Sequence, residues 1–161
     1  MATSSIQIIP FRPELAPAFA RLNLEWIERF FTVEELDRLM LTDCEHTIIA
    51  PGGQIFFATR EEDVIGTAAV VRHSAAVCEL AKMAVVPSAQ GQGVGRKLAG
   101  AAIAFAEARG AHKITLMTNS RLKPALHLYE GLGFTYCELP ADAEYARANV
   151  YMELQLPRTL R

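Results

Sequence analysis

Several absences narrow the reading of this sequence before any motif is considered. No stretch approaches the roughly 20 apolar residues needed to cross a bilayer, and no charged N-terminal region leads into a long apolar run; the chain is therefore expected to be cytoplasmic, with no membrane partner. Basic excess is missing: 16 Lys and Arg stand against 18 Asp and Glu, a formal charge of -2, with no basic run to track a phosphate backbone. A nucleic-acid partner is disfavoured on that ground. Cysteine is scarce. Cys44, Cys78 and Cys137 are odd in number, far apart and outside any CxxC pair, which argues against a disulfide framework or a zinc site and reads them as small core residues. The signatures GxSxG and HExxH are absent, and His46, His73, His112 and His127 show no ligand spacing, so serine and metal hydrolysis are disfavoured and no metal is expected.

Apolar material is plentiful. Hydrophobic residues make up 51% of the 161 positions, enough to offset the entropy of ordering one core, and no linker divides the chain; residues 1–161 are expected to form one domain. Ile6 to Ile9 reads as a strand. Pro10 and Pro13 bracket a helix start, and Leu15, Phe19, Leu22, Trp26 and Phe30 recur at the three- and four-residue spacing of a buried helical face. Thr32 and Glu35 have the spacing of a capping box for a second, shorter helix. Ile55 to Ala58 and Val64 to Val71 read as an antiparallel hairpin, and Ala76 to Val86 as a further strand stopped by Pro87. A helix from Gly93 stopped by Gly110, a strand Lys113 to Met117, a helix Pro124 to Leu132, and strands Phe134 to Leu139 and Val150 to Leu156 complete the order βααβββαβαββ. That order predicts a mixed, mostly antiparallel sheet of 6–7 strands flanked by four helices.

The segment Val85 to Lys97 carries the chemistry: a strand, a proline stop, then Gln90-Gly91-Gln92-Gly93-Val94-Gly95 opening directly into a helix. Glycines admit an anion close to the backbone, and the unsatisfied N–H groups and positive dipole end of the following helix point to the same place, so a diphosphate is the expected ligand. It is not a P-loop, which needs Gly-Lys-Ser/Thr at the end of its run. Nor is it the dinucleotide fingerprint: the glycines alternate and follow a fourth strand rather than a first.

Gln90-x-x-Gly93-x-Gly95 resembles the Q/R-x-x-G-x-G/A motif of the GNAT N-acetyltransferases, and Ala125-Leu-His-Leu-Tyr129-Glu-Gly-Leu-Gly133-Phe134 resembles that family's A-x-x-L-Y-E-x-L-G-F segment. The two lie at the family's usual separation, and the likeness is good over about Val64 to Tyr136. The resemblance implies acetyl-CoA as co-substrate. Its pantetheine arm would pair with the main chain of Met83, Ala84 and Val85, and its diphosphate would sit on the amides of Gly91, Gln92, Gly93, Val94, Gly95 and Arg96, with charge from Arg96 and Lys97. Tyr129 matches the acid that protonates the leaving thiolate, and Glu79 stands near the place where some members carry a general base. Strand alternation would set Glu79 on one face with Ala81, Met83 and Val85. Where many members have asparagine this chain has Leu122, and Asn119 is expected to take over a cofactor contact, cap the helix or face the substrate. For the acceptor, expected to be a small-molecule amine of amino-acid or polyamine-like type, Glu25, Trp26, Arg29, Tyr145 and Arg147 are the candidate contacts. Acetylation of a protein lysine or N-terminus, a non-catalytic acyl-CoA sensor, and a homodimer all stay open.

Overall fold

The computed structural model describes residues 5–158. Seven strands form one sheet in the order β1-β2-β3-β4-β5-β7-β6: β1 (Ile6–Pro10), β2 (Gln54–Arg60), β3 (Asp63–Arg72), β4 (Val77–Val85), β5 (Lys113–Thr118), β6 (Thr135–Cys137) and β7 (Val150–Gln155). Neighbours run antiparallel except β4 and β5, which are parallel. Helices α1 (Ala16–Phe30) and α2 (Glu35–Thr42) precede β2, α3 (Val94–Ala108) joins β4 to β5, and α4 (Lys123–Gly131) joins β5 to β6. The element order is the one predicted. A π-helical turn, Glu45–Ile49, was not legible in the sequence.

The two faces of the sheet carry separate cores. On one, α3 lays Val94, Leu98, Ala102, Ile103 and Ala106 against Ala68, Val70 and Leu80, its small residues letting it approach the strands closely. On the other, Phe19 and Ile27 of α1 and Met40 and Leu41 of α2 bury Ile55, Phe57 and Ala69. Every one of the side chains just named is at most 9% exposed, and truncating a large one to alanine would cost about 2–5 kcal/mol.

Three expectations need correcting. The capping box of α2 is formed by Glu34 and Asp37, not Thr32 and Glu35: the Glu34 amide donates to Asp37 Oδ2 at 2.8 Å. Asp37 wins because the same carboxylate is held by tertiary partners described below. Cys137 is exposed while Cys44 and Cys78 are buried, since the short edge strand β6 places all three of its residues at the surface. Finally, β4 does not alternate evenly. Thr67 faces Ala84 whereas Ala69 faces Ala81, so β4 carries one extra residue, and Lys82 adopts a left-handed φ of 52° there. This bulge turns the strand over: Glu79 and Ala81 share a face with Ala84, while Met83 and Val85 pack toward the core under α3.

Candidate active site

The bulged strand borders a deep opening in the structure. β4 and β5 pair only from Val77 with Lys113 to Glu79 with Thr115, and then diverge. The β5-facing edge of β4 from Leu80 onward therefore has no ladder partner. Val86 N–H donates to Ile65 O at 2.9 Å across the other edge. By the alternation of an antiparallel ladder, the N–H of its neighbour Val85 turns toward the gap. A cavity of about 340 Å³ fills the wedge, walled by Trp26 from α1 and Phe31 just after it, Met117 from β5 and Asn119 just past its end, and Leu128 and Tyr129 from α4.

At the mouth, a short 3-10 turn, Pro87–Ala89, leads into the glycine loop. Gly91 and Gly93 have φ of 78° and 82°, and a Cβ on either would meet nothing within 4 Å, so backbone conformation alone selects glycine there. The consequence is a run of free donors. Lys97 N–H is the first to bond back into the helix, to Gly93 O, and the six amides from Gly91 to Arg96 donate to no acceptor among the described residues. Six unengaged N–H groups running through the loop into the first turn of α3 suit an anion. The side chains of the loop point elsewhere: Gln90 Nε2 reaches Val85 O at 3.4 Å, Gln92 is held by Ser88 O and Arg60, and Arg96 and Lys97 are exposed.

Tyr129 is 8% exposed and stacks edge-on against Phe134, ring centroids 5.9 Å apart. Its hydroxyl has no hydrogen-bond partner among the described residues, and burial pushes its pKa up to about 12. Glu79, also 8% exposed, lies on the cavity wall with its Oε1 2.7 Å from His73 Nε2.

A group of paired charges closes the far end. Asp37, fully buried, accepts from Arg147 Nη1 at 2.7 Å and Nη2 at 2.8 Å, and from Lys82 Nζ. Glu34 accepts from the Ala146 amide and from Arg147. Tyr145 packs its ring beneath both cations, 4.4 Å from Lys82 Nζ and 4.6 Å from the Arg147 guanidinium, and its hydroxyl receives a hydrogen bond from Lys82 at 2.8 Å. Burial pushes the Asp37 carboxyl up, but the hydrogen bonds from Arg147, Lys82 and the Glu34 amide outweigh it and hold its pKa at about 2. Burial likewise draws the Lys82 ammonium below its ordinary value. The connection between β6 and β7 is thereby latched onto the start of α2.

Of the residues singled out from sequence, the structure gathers Tyr129, Glu79, Met83, Ala84, Val85, Gln90, Gly91, Gly93, Val94, Gly95, Asn119, Trp26, Tyr145 and Arg147 around one cavity. Glu25 and Arg29 are not there. They line a neighbouring hollow of about 290 Å³ beside Val86 and Pro87, because the helix sets them roughly 60–100° around from Trp26, which borders both. Asn119 does not cap α4: its Nδ2 donates to Arg147 O at 2.7 Å and its Oδ1 accepts from the Arg121 amide at 2.9 Å, bracing the strand end against the latch. Sequence reasoning missed Asp37, Lys82, His73 and Asn23. Asn23, 1% exposed, donates to Phe19 O at 3.0 Å and sits on the cavity wall. Lys82, an isolated charge in an apolar strand run, was the available signal.

Residues 21–134 match the Acetyltransferase (GNAT) family, most of the chain, and the protein belongs to it. The mycothiol acetyltransferase of Arthrobacter sp. (strain FB24) is 38% identical over 74 residues, 46% of this chain and 22% of that one. The uncharacterized N-acetyltransferase YjgM of Escherichia coli (strain K12) is 34% identical over 91 residues, 55% of this chain and 54% of that one. The chain thus spans about half or less of the curated relatives it matches. Among solved structures, a GNAT-family acetyltransferase of Staphylococcus aureus Mu50 superposes with a TM-score of 0.84 at 21% identity, over 94% of this chain and 99% of that one. YncA of Salmonella typhimurium, a putative acetyltransferase solved with its cofactor acetyl-CoA, gives 0.73 at 20% identity, over 97% and 96%. Both share the fold.

Proposed function

We propose that this protein is an N-acetyltransferase that moves the acetyl group of acetyl-CoA to the primary amine of a small molecule, in one complex holding both. The carrying observation is the row of six unengaged amides, Gly91 to Arg96, at the mouth of a cavity that opens where β4 and β5 part. The amides suit a diphosphate, and the unpaired edge of β4 suits the amide groups of a pantetheine arm. Acetyl-CoA brings an activated carbonyl and a thiolate leaving group. Glu79 takes a proton from the acceptor ammonium so that its nitrogen can attack. The Val85 N–H, turned to the gap, donates to the oxygen on which negative charge develops. Tyr129 keeps its proton until the carbon–sulfur bond breaks, then gives it to sulfur.

The charges favour one acceptor class. Of the residues on the cavity wall only Glu79, Lys82 and Arg147 are ionic. Both cations already serve Asp37 and Glu34. No cation on the cavity wall is left over for a carboxylate on the acceptor, whereas Glu79 stands on that wall. A polyamine-like or other amine without a carboxylate is therefore preferred over an amino acid. Thiol release from acetyl-CoA, measured against a panel of diamines, amino sugars and amino acids, tests the reading. Stimulation by carboxylate-free amines is expected; binding of acetyl-CoA without thiol release for any amine would make the protein a sensor and end the enzymatic reading.

A further inference from the structure

The active-site carboxylate has a partner that the reaction scheme above leaves unused. His73 lies in the turn between β3 and β4, where its own amide is tied to Val77 O at 3.0 Å. Its side chain is 46% exposed, and its Nε2 is 2.7 Å from Glu79 Oε1. His73 is not on the cavity wall; Glu79 is. The carboxylate thus stands between the cavity and an imidazole that reaches solvent. A carboxylate can only accept, so Nε2 must carry the hydrogen, and it does so in both the neutral and the protonated ring. One oxygen of Glu79 is consequently fixed by His73, and the other has no hydrogen-bond partner among the described residues.

We propose that His73 is the positioning residue of the base: its Nε2–H pins Glu79 Oε1 and thereby holds the carboxylate where it can receive a proton from the acceptor amine. This rests on Glu79 being that base. The arrangement follows the logic by which a third group orients a catalytic base, with the roles exchanged so that imidazole orients carboxylate. No other side chain among the described residues hydrogen-bonds Glu79, so without His73 no side-chain hydrogen bond fixes its rotamer.

The surroundings also give the pair a charge response. Glu79 is the main reason the His73 pKa lies above its ordinary value, with Glu144 from the β6–β7 connection adding to it. Lys82, Tyr145 and Tyr151 are the other ionisable groups within electrostatic reach of Glu79. The imidazolium therefore persists above pH 6.5. As the ring loses its proton the charge held against the Glu79 carboxylate changes, so the acid limb of the rate profile carries the titration of His73.

The test is a double-mutant cycle on the thiol-release rate with the best acceptor. His73→Ala removes one charge-assisted hydrogen bond and should lower kcat by roughly tenfold to a hundredfold, with the KM for acetyl-CoA unchanged. His73→Gln, whose amide can donate to Glu79 but cannot titrate, should recover most of that rate and lose the His73 limb of the pH profile. Glu79→Gln alone should cost on the order of a hundredfold or more. Adding His73→Ala to it should cost nothing further, because the histidine acts only through the carboxylate. If Glu79→Gln is impaired while His73→Ala matches wild type, or if the two losses multiply, the role of His73 is overturned and the base survives. If Glu79→Gln itself matches wild type, the base reading falls, and His73 with it.

Discussion

Replacing Tyr129 by phenylalanine separates chemistry from stability more cleanly than any other single change in this site. The ring is buried and braced edge-on against Phe134, and phenylalanine keeps that packing. The hydroxyl bonds no described group, so its loss strands no donor or acceptor, and the folded state should change by less than about 0.5 kcal/mol. The rate should change far more. A positioned general acid contributes roughly 10²- to 10⁴-fold, and the substitution deletes the only proton the tyrosine can supply. Burial pushes the tyrosine pKa up to about 12, so the acid form is present throughout the ordinary assay range and its loss sets in only as pH approaches that value. Wild type should accordingly show no alkaline fall in kcat from this group below about pH 11. The assay is steady-state thiol release at saturating acetyl-CoA, with thermal melts on the same samples. Turnover of the phenylalanine variant within twofold of wild type would refute the acid role; a melting temperature lowered by many degrees would refute the packing argument.

Other consequences follow from the latch and the loop. Asp37→Ala leaves Lys82 and Arg147 without their shared carboxylate and should cost about 3–5 kcal/mol, read from denaturant unfolding. The Asp37 pKa falls from 3.8 to about 2 on folding, so its contribution of about 2 kcal/mol is fully present above the unfolded value and is lost as pH falls from about 4 toward 2; the stability difference between wild type and Asp37→Asn should shrink over that window. Gly93→Ala places a side chain at a left-handed φ of 82° in open space. The strain is about 1–2 kcal/mol, and acetyl-CoA affinity should weaken roughly tenfold in calorimetry, while Gln92→Ala, whose side chain is turned outward, should bind as wild type.

Much of the architecture was legible because the signals were local. Apolar spacing from Phe19 to Phe30 set α1, Pro87 stopped β4, and Gly93 and Gly110 bounded α3. The glycine loop was readable for the same reason: a left-handed backbone leaves its mark on residue type at the position itself. The acceptor end was not. Asp37, Lys82 and Arg147 come from α2, β4 and the β6–β7 connection, and no spacing rule links residues 45 or 110 positions apart. The bulge at Lys82 escaped for a related reason, since strict alternation assigned Met83 and Val85 to the face of Glu79, and only the pairing with β3 reveals the extra residue. Glu25 and Arg29 were chosen for their chemistry on the correct helix but lie on the adjoining strip of it, beside a second hollow.

The central claim is that the main-chain amides of Gly91 to Arg96 hold the diphosphate of acetyl-CoA. It is tested most directly by following backbone amide resonances of the ¹⁵N-labelled protein during titration with acetyl-CoA. These six amides should show the largest saturable shifts, moving together with one binding constant and followed by residues along the free edge of β4. Shifts centred elsewhere, or none at millimolar acetyl-CoA, would contradict it.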